Sequence, residues 1–429
     1  MNRKSRFAAA LLAGALLLGI SACGTQGTAS FASPVELTVW TYYNGDQLET
    51  FNRLVEEFND TVGRERNIEV IASGQGSVND LETNVMNAAE GKVGAEALPN
   101  IFSAYADTAY AIDRMGLVVD LAPYLDEKER EKYIEAYLEE GDFDGDGSIK
   151  IFPTAKCTEL LFLNDTDWQK FAQAAGADYS DLLTVEGVVR TAEKYYDWTD
   201  AKTPDIPGDG KMFFTADSWF NVAQAGMKQL GSSLIEGETL NLSGETYAHI
   251  FATTYVPAVE GGIAIYDGYS SDLSKTGDLV CSTGSSAGIL FYGDTITYPD
   301  NTVEQVAYSI LPYPVFEGGT KTAIQRGGGL MVASNEEKKE YAAAVFIKWL
   351  TASEQNMRFI SSTGYLPVTR QAFETDMDAH IASVEDARIK KMLVAVTSMY
   401  REYRLALFSA SRDLLPSLAP GSFHLQIHQ

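Results

Sequence analysis

The strongest suggestion of covalent chemistry in this sequence is the run Gly284-Ser285-Ser286-Ala287-Gly288. It matches G-x-S-x-G, in which a serine on a sharp strand-to-helix turn attacks an acyl group. However, Tyr292-Gly293-Asp294 interrupts the helix that should follow, and no H-G-G-G loop lies upstream. We therefore expect no catalytic residue here and keep a secreted serine esterase as the alternative class. A Gly-Ser-Ser turn also offers hydroxyls and backbone N–H groups to a ligand oxygen or phosphate.

An acidic loop suggests a metal site. Asp142, Asp144, Asp146 and Gly147 occupy positions 1, 3, 5 and 6 of a calcium-binding EF-hand loop. Position 12, which requires a bidentate glutamate, is Pro153. The loop therefore cannot close around calcium without an outside carboxylate, and we predict a plain acidic turn with no metal and no cofactor.

The cysteines and histidines do not form a recognisable metal site. Beyond Cys23, only Cys157 and Cys281 remain, and neither belongs to a C-x-x-C pair. The four histidines lack zinc-binding spacing; they are His249, His380, His424 and His428. Two thiols allow one disulfide or none, and we predict buried free thiols.

The elements that would position a site begin with a strand, a helix and a second strand. Glu36 to Thr41 alternates β-branched and aromatic residues, and Asn67 to Ala72 supplies the next strand. Between them, apolar residues recur at helical spacing after Asp46, which with Glu49 resembles a capping box. This order predicts a parallel pair with a right-handed crossover. Ligands then collect at the carboxyl ends of the strands; these ends carry Trp40, Tyr42, Tyr43, Gly74 to Ser77, and Tyr105 to Asp107.

The rest of the chain predicts a second lobe. The polar run 141–150 marks a boundary, residues 165–260 are mostly helical in pattern, and strand-like runs return within 278–332. Gly327-Gly328-Gly329 is not followed by G-K-[ST], so it is no phosphate loop. We expect these glycines to allow close backbone approach beside Arg326, either to a ligand or to a facing strand.

Length and charge limit the function further. A chain of 429 residues with 45% hydrophobic and 21% charged residues is ordinary globular protein, long enough for two lobes. The 33 basic residues against 59 acidic ones give a net charge of -26. Nucleic acid is therefore an unsuitable partner, because its binding requires a cationic surface.

The N-terminus predicts export and a lipid anchor. Arg3, Lys4 and Arg6 precede an apolar stretch from Phe7 to Ile20, which suits a signal sequence and is short for a membrane span. Ile20-Ser21-Ala22-Cys23 resembles a lipobox, in which Cys23 becomes the lipidated first residue. The alternative is an ordinary secretory signal with an incidental cysteine.

Eight features in order carry a family resemblance. The first is the predicted lipidated Cys23, and the other seven are the segments LTVWTYYNGDQLETFNRLVEEFN, LPNIFSAYAD, IFPTAKCTELLFLN, STGSSAGI, GGGLMVAS, AAAVFIKWLTASEQN and STGYLPVT. Together they resemble the family 1 extracellular solute-binding proteins of ABC importers, which include maltose-binding and sn-glycerol 3-phosphate-binding proteins. The resemblance extends from Glu36 to Phe373.

The resemblance implies an α/β fold: a two-lobed, periplasmic-binding-protein-like clamp with a mainly parallel sheet in each lobe and a multi-strand hinge. It implies a monomeric receptor on the outer face of the bacterial membrane, which delivers its solute to the membrane subunits of a permease. The predicted boundaries are 1–22 signal sequence, 23–34 tether, 35–147 with 278–333 first lobe, 148–277 with 334–404 second lobe, and 405–429 an atypical tail.

A protein that closes around a carbohydrate needs aromatic rings that stack on the C–H patches of the sugar. It also needs planar polar groups that hydrogen-bond the sugar hydroxyls. The candidate faces are Trp40, Tyr42, Tyr43, Trp219, Tyr269 and Tyr365, and the candidate polar groups are Asp107, Glu159, Asp217 and Arg326. Ser285 and Ser286 join them because of the glycerol phosphate branch of the resemblance. Lys156, Arg326 and the Gly-Ser-Ser turn together offer a local site for an anion, against the long-range repulsion of the acidic chain. We expect Trp349 to pack in a helix stripe instead. Whether the solute is a neutral sugar or a phosphate ester stays open.

Overall fold

The computed structural model describes residues 30–236 and 239–403, together with the backbone of 408–409. The predicted signal sequence, Cys23, most of the tether and nearly all of the predicted tail lie outside these residues. Within the described part of the chain, every helix is too short or too polar to cross a bilayer.

The strands form two main sheets. The strands in chain order are β1 Val35–Thr41, β2 Ile68–Gly74, β3 Ile101–Ala104, β4 Phe152–Pro153, β5 Glu159–Asn164, β6 Phe214–Ala216, β7 Ile235–Glu236, β8 Thr239–Leu240, β9 Cys281–Ser285, β10 Thr295–Thr297, β11 Val303–Gln305, β12 Tyr308–Pro312, β13 Ile324–Gln325, β14 Gly329–Val332 and β15 Phe408–Ser409. The first sheet has the order β2-β1-β3-β14-β4, and the second has the order β12-β5-β9-β6. Three two-stranded pairs, β7 with β8, β10 with β11 and β13 with β15, complete the described strands.

Helices cover both sheets. The longer helices are α1 Gly45–Phe58, α2 Val78–Ala89, α3 Ala106–Arg114, α4 Asp165–Ala175, α5 Val185–Asp200, α6 Trp219–Gln229, α7 Glu245–Glu260, α8 Glu337–Leu350, α9 Ser353–Thr363, α10 Met377–Ser383 and α11 Ala387–Glu402. Shorter helical segments lie at Asn59–Gly63, Arg64–Arg66, Ala122–Tyr124, Glu127–Arg130, Glu135–Leu138, Glu139–Gly141, Tyr179–Leu182, Ser270–Ser274, Ser286–Phe291 and Ala372–Asp376.

The predicted opening unit is present. β1 and β2 pair in parallel, from Val35 opposite Ile68 to Thr41 opposite Gly74, and α1 crosses between them. The helix buries the apolar stripe that predicted it, including Phe51, Leu54 and Phe58. The capping box predicted at Asp46 is wrong, because α1 begins one residue earlier at Gly45 and Asn44 makes no side-chain cap.

Both sheets are mixed, so the two-sheet α/β fold is confirmed but the expectation of mainly parallel sheets is not. In the first sheet, β14 runs antiparallel to β3 and to β4. In the second sheet, β5 runs antiparallel to β12 and to β9, and only β6 pairs with β9 in parallel. The antiparallel strands are those that arrive from the other lobe.

The predicted lobe boundaries need correction after residue 278. β9 and β12 lie in the second sheet, whereas β14 lies in the first. Helices α8 and α9, assigned by sequence to the second lobe, pack on β1 and α1 of the first. α11 packs on β12 of the second sheet. The chain crosses between lobes inside the segments 278–333 and 334–404, so neither belongs wholly to one lobe.

Three described segments form the hinge between the lobes. Residues 154–158 lead from β4 to β5, residues 324–328 lead back to β14, and residues 364–369 follow α9. Single antiparallel bridges join Lys156 to Leu366 and Cys157 to Arg326. The multi-strand hinge is therefore confirmed, and Arg326 lies within it.

The backbone of the glycine run at the hinge lies close to neighbouring backbone, as predicted. Of the two predicted neighbours, a ligand or a facing strand, the structure shows the strand. Gly327 has φ +90°, and a Cβ there would overlap the Ala155 carbonyl oxygen. A Cβ at Gly328 would lie 2.7 Å from the Ala104 carbonyl oxygen. Side chains at these positions would push the hinge strand away from its neighbours.

Candidate functional site

Polar side chains of the second lobe meet a polar side chain of the hinge. Glu159 begins β5 and pairs with Ser285 at the end of β9, while Asp217 follows the end of β6. Arg326 reaches them from the hinge. The alternating side-chain direction of the strands therefore brings three predicted polar candidates, Glu159, Asp217 and Arg326, to one place.

Glu159 is the centre of this cluster. Its side chain is 1% exposed, and its Oε1 accepts hydrogen bonds from Arg326 at 3.1 Å and from Asn221 Nδ2 at 2.6 Å. Burial raises the pKa of the Glu159 carboxyl, and the charge of Arg326 opposes that rise. The arrangement holds one planar carboxylate and one planar guanidinium in a fixed orientation, as bidentate recognition of hydroxyls requires.

Asp217 adds a second carboxylate. Its Oδ1 accepts the backbone N–H of Ser270 at 2.8 Å. Burial raises the pKa of this carboxyl, while the Ser270 hydrogen bonds and Arg326 oppose the rise. Gly284 makes room for Asp217, because a Cβ at Gly284 would overlap its carboxylate.

Tyrosines of the first lobe and the hinge form a group that reaches this region through Tyr105, which interacts with Arg326. The rings of Tyr42 and Tyr105 stack with centroids 5.8 Å apart, and those of Tyr43 and Tyr365 lie 6.3 Å apart. The hydroxyls of Tyr42 and Tyr365 share a hydrogen bond, and burial raises the pKa of both phenols. Neutral phenols both donate and accept, so this group suits polyhydroxylated ligands.

The two predicted tryptophan faces have different surroundings. Trp219 is partly buried at the start of α6, two residues before Asn221, and its ring contacts Phe214 edge-on at 6.1 Å. Trp40 is 6% exposed and lies in the hydrophobic core of the first lobe. β1 continues through Thr41, so Trp40 is inside the strand rather than at its free end. A stacking role for either residue stays a prediction.

Four other candidates occupy separate positions. Tyr269 is 57% exposed and precedes Ser270, and Asp107 is in the first turn of α3. Ser285 is partly buried and bonds the thiol of Cys157. Ser286 is fully buried, and its Oγ accepts the backbone N–H of Thr158 at 3.4 Å. The structure therefore places the Ser286 hydroxyl within the hinge.

The same position removes the basis for a nucleophile elbow. Ser286 also donates its backbone N–H to Thr158, and a helical turn of only six residues, Ser286–Phe291, follows it. Of the described histidines, His249 is exposed and bonds Glu186, and His380 is on α10. The expectation that G-x-S-x-G marks no esterase agrees with these contacts.

The acidic loop uses its carboxylates internally. Asp142 accepts the backbone N–H groups of Asp146 and Gly147, and Asp146 accepts that of Ser148. Asp144 pairs with Arg114 at 2.5 Å. Within the described ranges, no group of three metal-ligating side chains is assembled. The loop has the contacts of an acidic turn.

The predicted contribution of Lys156 to an anion site is wrong. Its side chain has no exposed surface and is paired with buried Glu140, and its Nζ donates to the Gly327 carbonyl at 2.9 Å. The Lys156 charge is therefore neutralised inside the hinge. Cys157 and Cys281 are both free and buried, as predicted.

One site residue was missed from sequence, and one was named without a role. Tyr105 follows β3 as Tyr42 follows β1, and the sequence analysis placed it at a strand end but not among the candidate aromatic faces. Asn221 lies inside α6, where an isolated asparagine gives no sequence signal. Its contact with Glu159 depends on how α6 packs on the second sheet.

Comparison with known proteins identifies the family. A family model described as bacterial extracellular solute-binding protein matches residues 53–384. The chain belongs to this family. This confirms the prediction of a solute-binding protein of an ABC transporter, and nothing supports the esterase alternative.

Individual relatives agree on the fold. The sn-glycerol-3-phosphate-binding periplasmic protein UgpB of Rhizobium meliloti is 24% identical over 400 residues, 89% of this chain and 87% of its own. The cyclic alpha-maltosyl-1,6-maltose binding protein of Arthrobacter globiformis has a TM-score of 0.69 at 17% identity, covering 90% and 95%. UgpB of Mycobacterium tuberculosis, solved with glycerophosphocholine, has a TM-score of 0.63 at 18% identity, covering 84% and 85%.

Proposed function

We propose that this protein captures a neutral carbohydrate-class solute between its lobes and delivers it to the membrane subunits of an ABC importer. It binds the solute without covalent change and acts as a monomer. The observation that carries the proposal is the cluster of Glu159, Arg326 and Asn221, together with Tyr105, which interacts with Arg326 and stacks on Tyr42. Planar polar groups next to aromatic rings match the hydroxyl edges and C–H faces of a sugar.

The charge of the cluster favours a neutral solute. Two carboxyl groups, Glu159 and Asp217, face the single guanidinium of Arg326, which is already paired with Glu159. Lys156, the nearby alternative cation, is paired with Glu140. A phosphate group would displace or compete with these carboxylates, and the net charge of -26 repels anions at long range.

A glycerol phosphate ester is the second candidate solute. It is supported by the named ligands of the two UgpB relatives and by the Ser285 hydroxyl, which lies beside Cys157 at the end of β9. For such a ligand to bind, Arg326 would have to exchange Glu159 for phosphate.

Calorimetry with purified protein separates the two candidates. We expect binding and thermal stabilisation by at least one neutral sugar among glucose, maltose, maltotriose and ribitol. We expect none with sn-glycerol 3-phosphate or glycerophosphocholine.

Glu159→Gln should weaken sugar binding tenfold or more, since charged hydrogen bonds contribute about 1.5–3 kcal/mol. The matched control is Glu304→Gln, an exposed carboxylate paired with Lys170, which should leave affinity unchanged. Binding of only the phosphate compounds would establish the second candidate, and binding of nothing would contradict both.

We further propose that the chain is anchored to the outer face of the membrane by lipid on Cys23. The support is the basic, apolar and small-residue order of residues 3–23 in the sequence. Cys23→Ala should abolish incorporation of labelled palmitate in the producing bacterium and release the protein from the membrane fraction or block its processing. A processed, membrane-retained Cys23→Ala protein would show that the anchor is elsewhere.

A further inference from the structure

Helix α7 of the second lobe carries an exposed row of large apolar side chains. Half of the well-exposed large apolar and aromatic side chains in the described ranges fall within residues 240–269. Four of them lie on α7 and are here called the α7 stripe: Phe251, Tyr255, Val256 and Val259, which are between 44% and 68% exposed. The rings of Phe251 and Tyr255 stack with centroids 4.8 Å apart, so they hold each other in place on the surface.

The α7 stripe lies on a helix that packs against the support of the candidate site. α7 contacts α5 and α6, and the side chain of Ile250 on its packed side lies over Gly226 of α6. The same helix α6 carries Asn221, which bonds Glu159. The α7 stripe is therefore separated by one helix from the residues proposed to hold the solute.

Charge excludes a lipid surface as the partner of the α7 stripe. Residues 240–269 contain no lysine or arginine. Helices that bind anionic lipid headgroups use such basic side chains. Instead, Glu245 and Glu260 lie exposed at the two ends of α7. An apolar centre with an acidic rim fits a protein surface of opposite charge.

The area of the α7 stripe excludes a stable dimer. Four half-exposed side chains present roughly 400 Å² of apolar surface, because a whole aromatic side chain covers about 150–250 Å². Two copies packed stripe to stripe would bury about 800 Å², below the lower limit of about 1,200 Å² for a stable interface. A contact of this size suits a partner that is bound and released repeatedly.

We propose that the α7 stripe is the surface of the second lobe that docks on the membrane subunits of the permease. The partner surface is a small apolar patch surrounded by basic side chains, which meet Glu245 and Glu260. This inference rests on the proposed delivery of the solute to an ABC importer and adds the docking surface to it.

Photo-crosslinking of the full chain in the producing bacterium tests the proposal. The photoreactive amino acid benzoylphenylalanine replaces Val259, which is 68% exposed, or as the control Val394 of α11, which is 52% exposed. Mass spectrometry then identifies the partner in each adduct. We expect position 259 to give at least tenfold more adduct with a membrane-spanning permease subunit than position 394. Equal yields, or adducts of position 259 mainly with a second copy of this chain or with lipid, would overturn the docking surface.

Solute uptake by the same bacterium provides a second measurement. Phe251→Ser combined with Tyr255→Ser removes the stacked rings, and uptake of a labelled sugar that the protein binds should fall at least tenfold with the calorimetric affinity unchanged. Ile71→Ser combined with Val394→Ser changes similarly exposed side chains elsewhere and should leave uptake unchanged. Normal uptake with the first pair would overturn the inference. Failure of every sugar to bind would instead overturn the proposed function, and the crosslinking result would still decide the role of the α7 stripe.

Discussion

Replacing Lys156 with alanine is expected to lower the free energy of unfolding by about 3–5 kcal/mol, because it breaks the buried ion pair between Lys156 and Glu140. Both side chains are buried, and Lys156 also donates to the Gly327 carbonyl across the hinge. The loss therefore removes an ion pair and a link between two hinge segments. Chemical denaturation of the ligand-free protein measures the effect.

Two further variants separate charge from packing. Lys156→Met combined with Glu140→Leu removes both charges and keeps apolar volume, so most of the stability should return. Lys348→Ala removes a half-exposed lysine that pairs with Glu129 at 2.9 Å, and it should cost about 1 kcal/mol or less. If Lys156→Ala and Lys348→Ala proved equally mild, the hinge pair would not be held in a low-dielectric interior.

Local sequence patterns predicted the first unit of the fold well. The alternation of β1 and the apolar stripe of α1 are properties of adjacent residues, and each selects one backbone geometry. The cap of α1 was mispredicted because Asp46 and Glu49 have the right spacing but lie inside the helix. A shift of one residue in the helix start is below what composition can resolve.

Sheet membership was not predictable in the same way. β9 and β14 are both short buried strands, and nothing in their composition tells which sheet each joins. The choice depends on pairings with distant segments, Leu161 opposite Thr283 in one case and Phe102 opposite Met331 in the other. The described chain crosses the hinge three times. After each crossing, the following segment belongs to the other lobe.

The same difference between local patterns and long-range pairing applies to the candidate site. Glu159 and Arg326 were predicted as planar polar groups for hydroxyls, and the structure places them 3.1 Å apart. Lys156 was predicted to favour an anion together with Arg326, but its partner Glu140 comes from a helical turn outside any strand. Which basic side chain can contact a solute therefore depends on ion pairs between residues that are distant in the sequence.

Replacing Trp219 with alanine is expected to weaken solute binding at least tenfold. The side chain is partly buried at the first turn of α6, two residues before Asn221 in the chain, and its Nε1 has no described partner. An aromatic face contributes about 0.5–1.5 kcal/mol beyond its buried area, and a hydrogen bond to Nε1 adds to that. Titration calorimetry with whichever sugar binds the unaltered protein measures the loss.

Trp349 is the matched control, because it is also partly buried but packs edge-on against Phe58, 5.3 Å away, on the outer side of the first sheet. Trp349→Ala should leave a cavity between α8 and α1 and lower the free energy of unfolding by about 3–5 kcal/mol. Its solute affinity, measured at a temperature where the variant is folded, should match that of the unaltered protein. The opposite pattern, with Trp349 coupled to the solute and Trp219 to stability alone, would place the solute away from the hinge cluster. The difference between the two tryptophans follows from position: Trp219 begins α6 in the second lobe, and Trp349 packs against Phe58 between α8 and α1 of the first lobe.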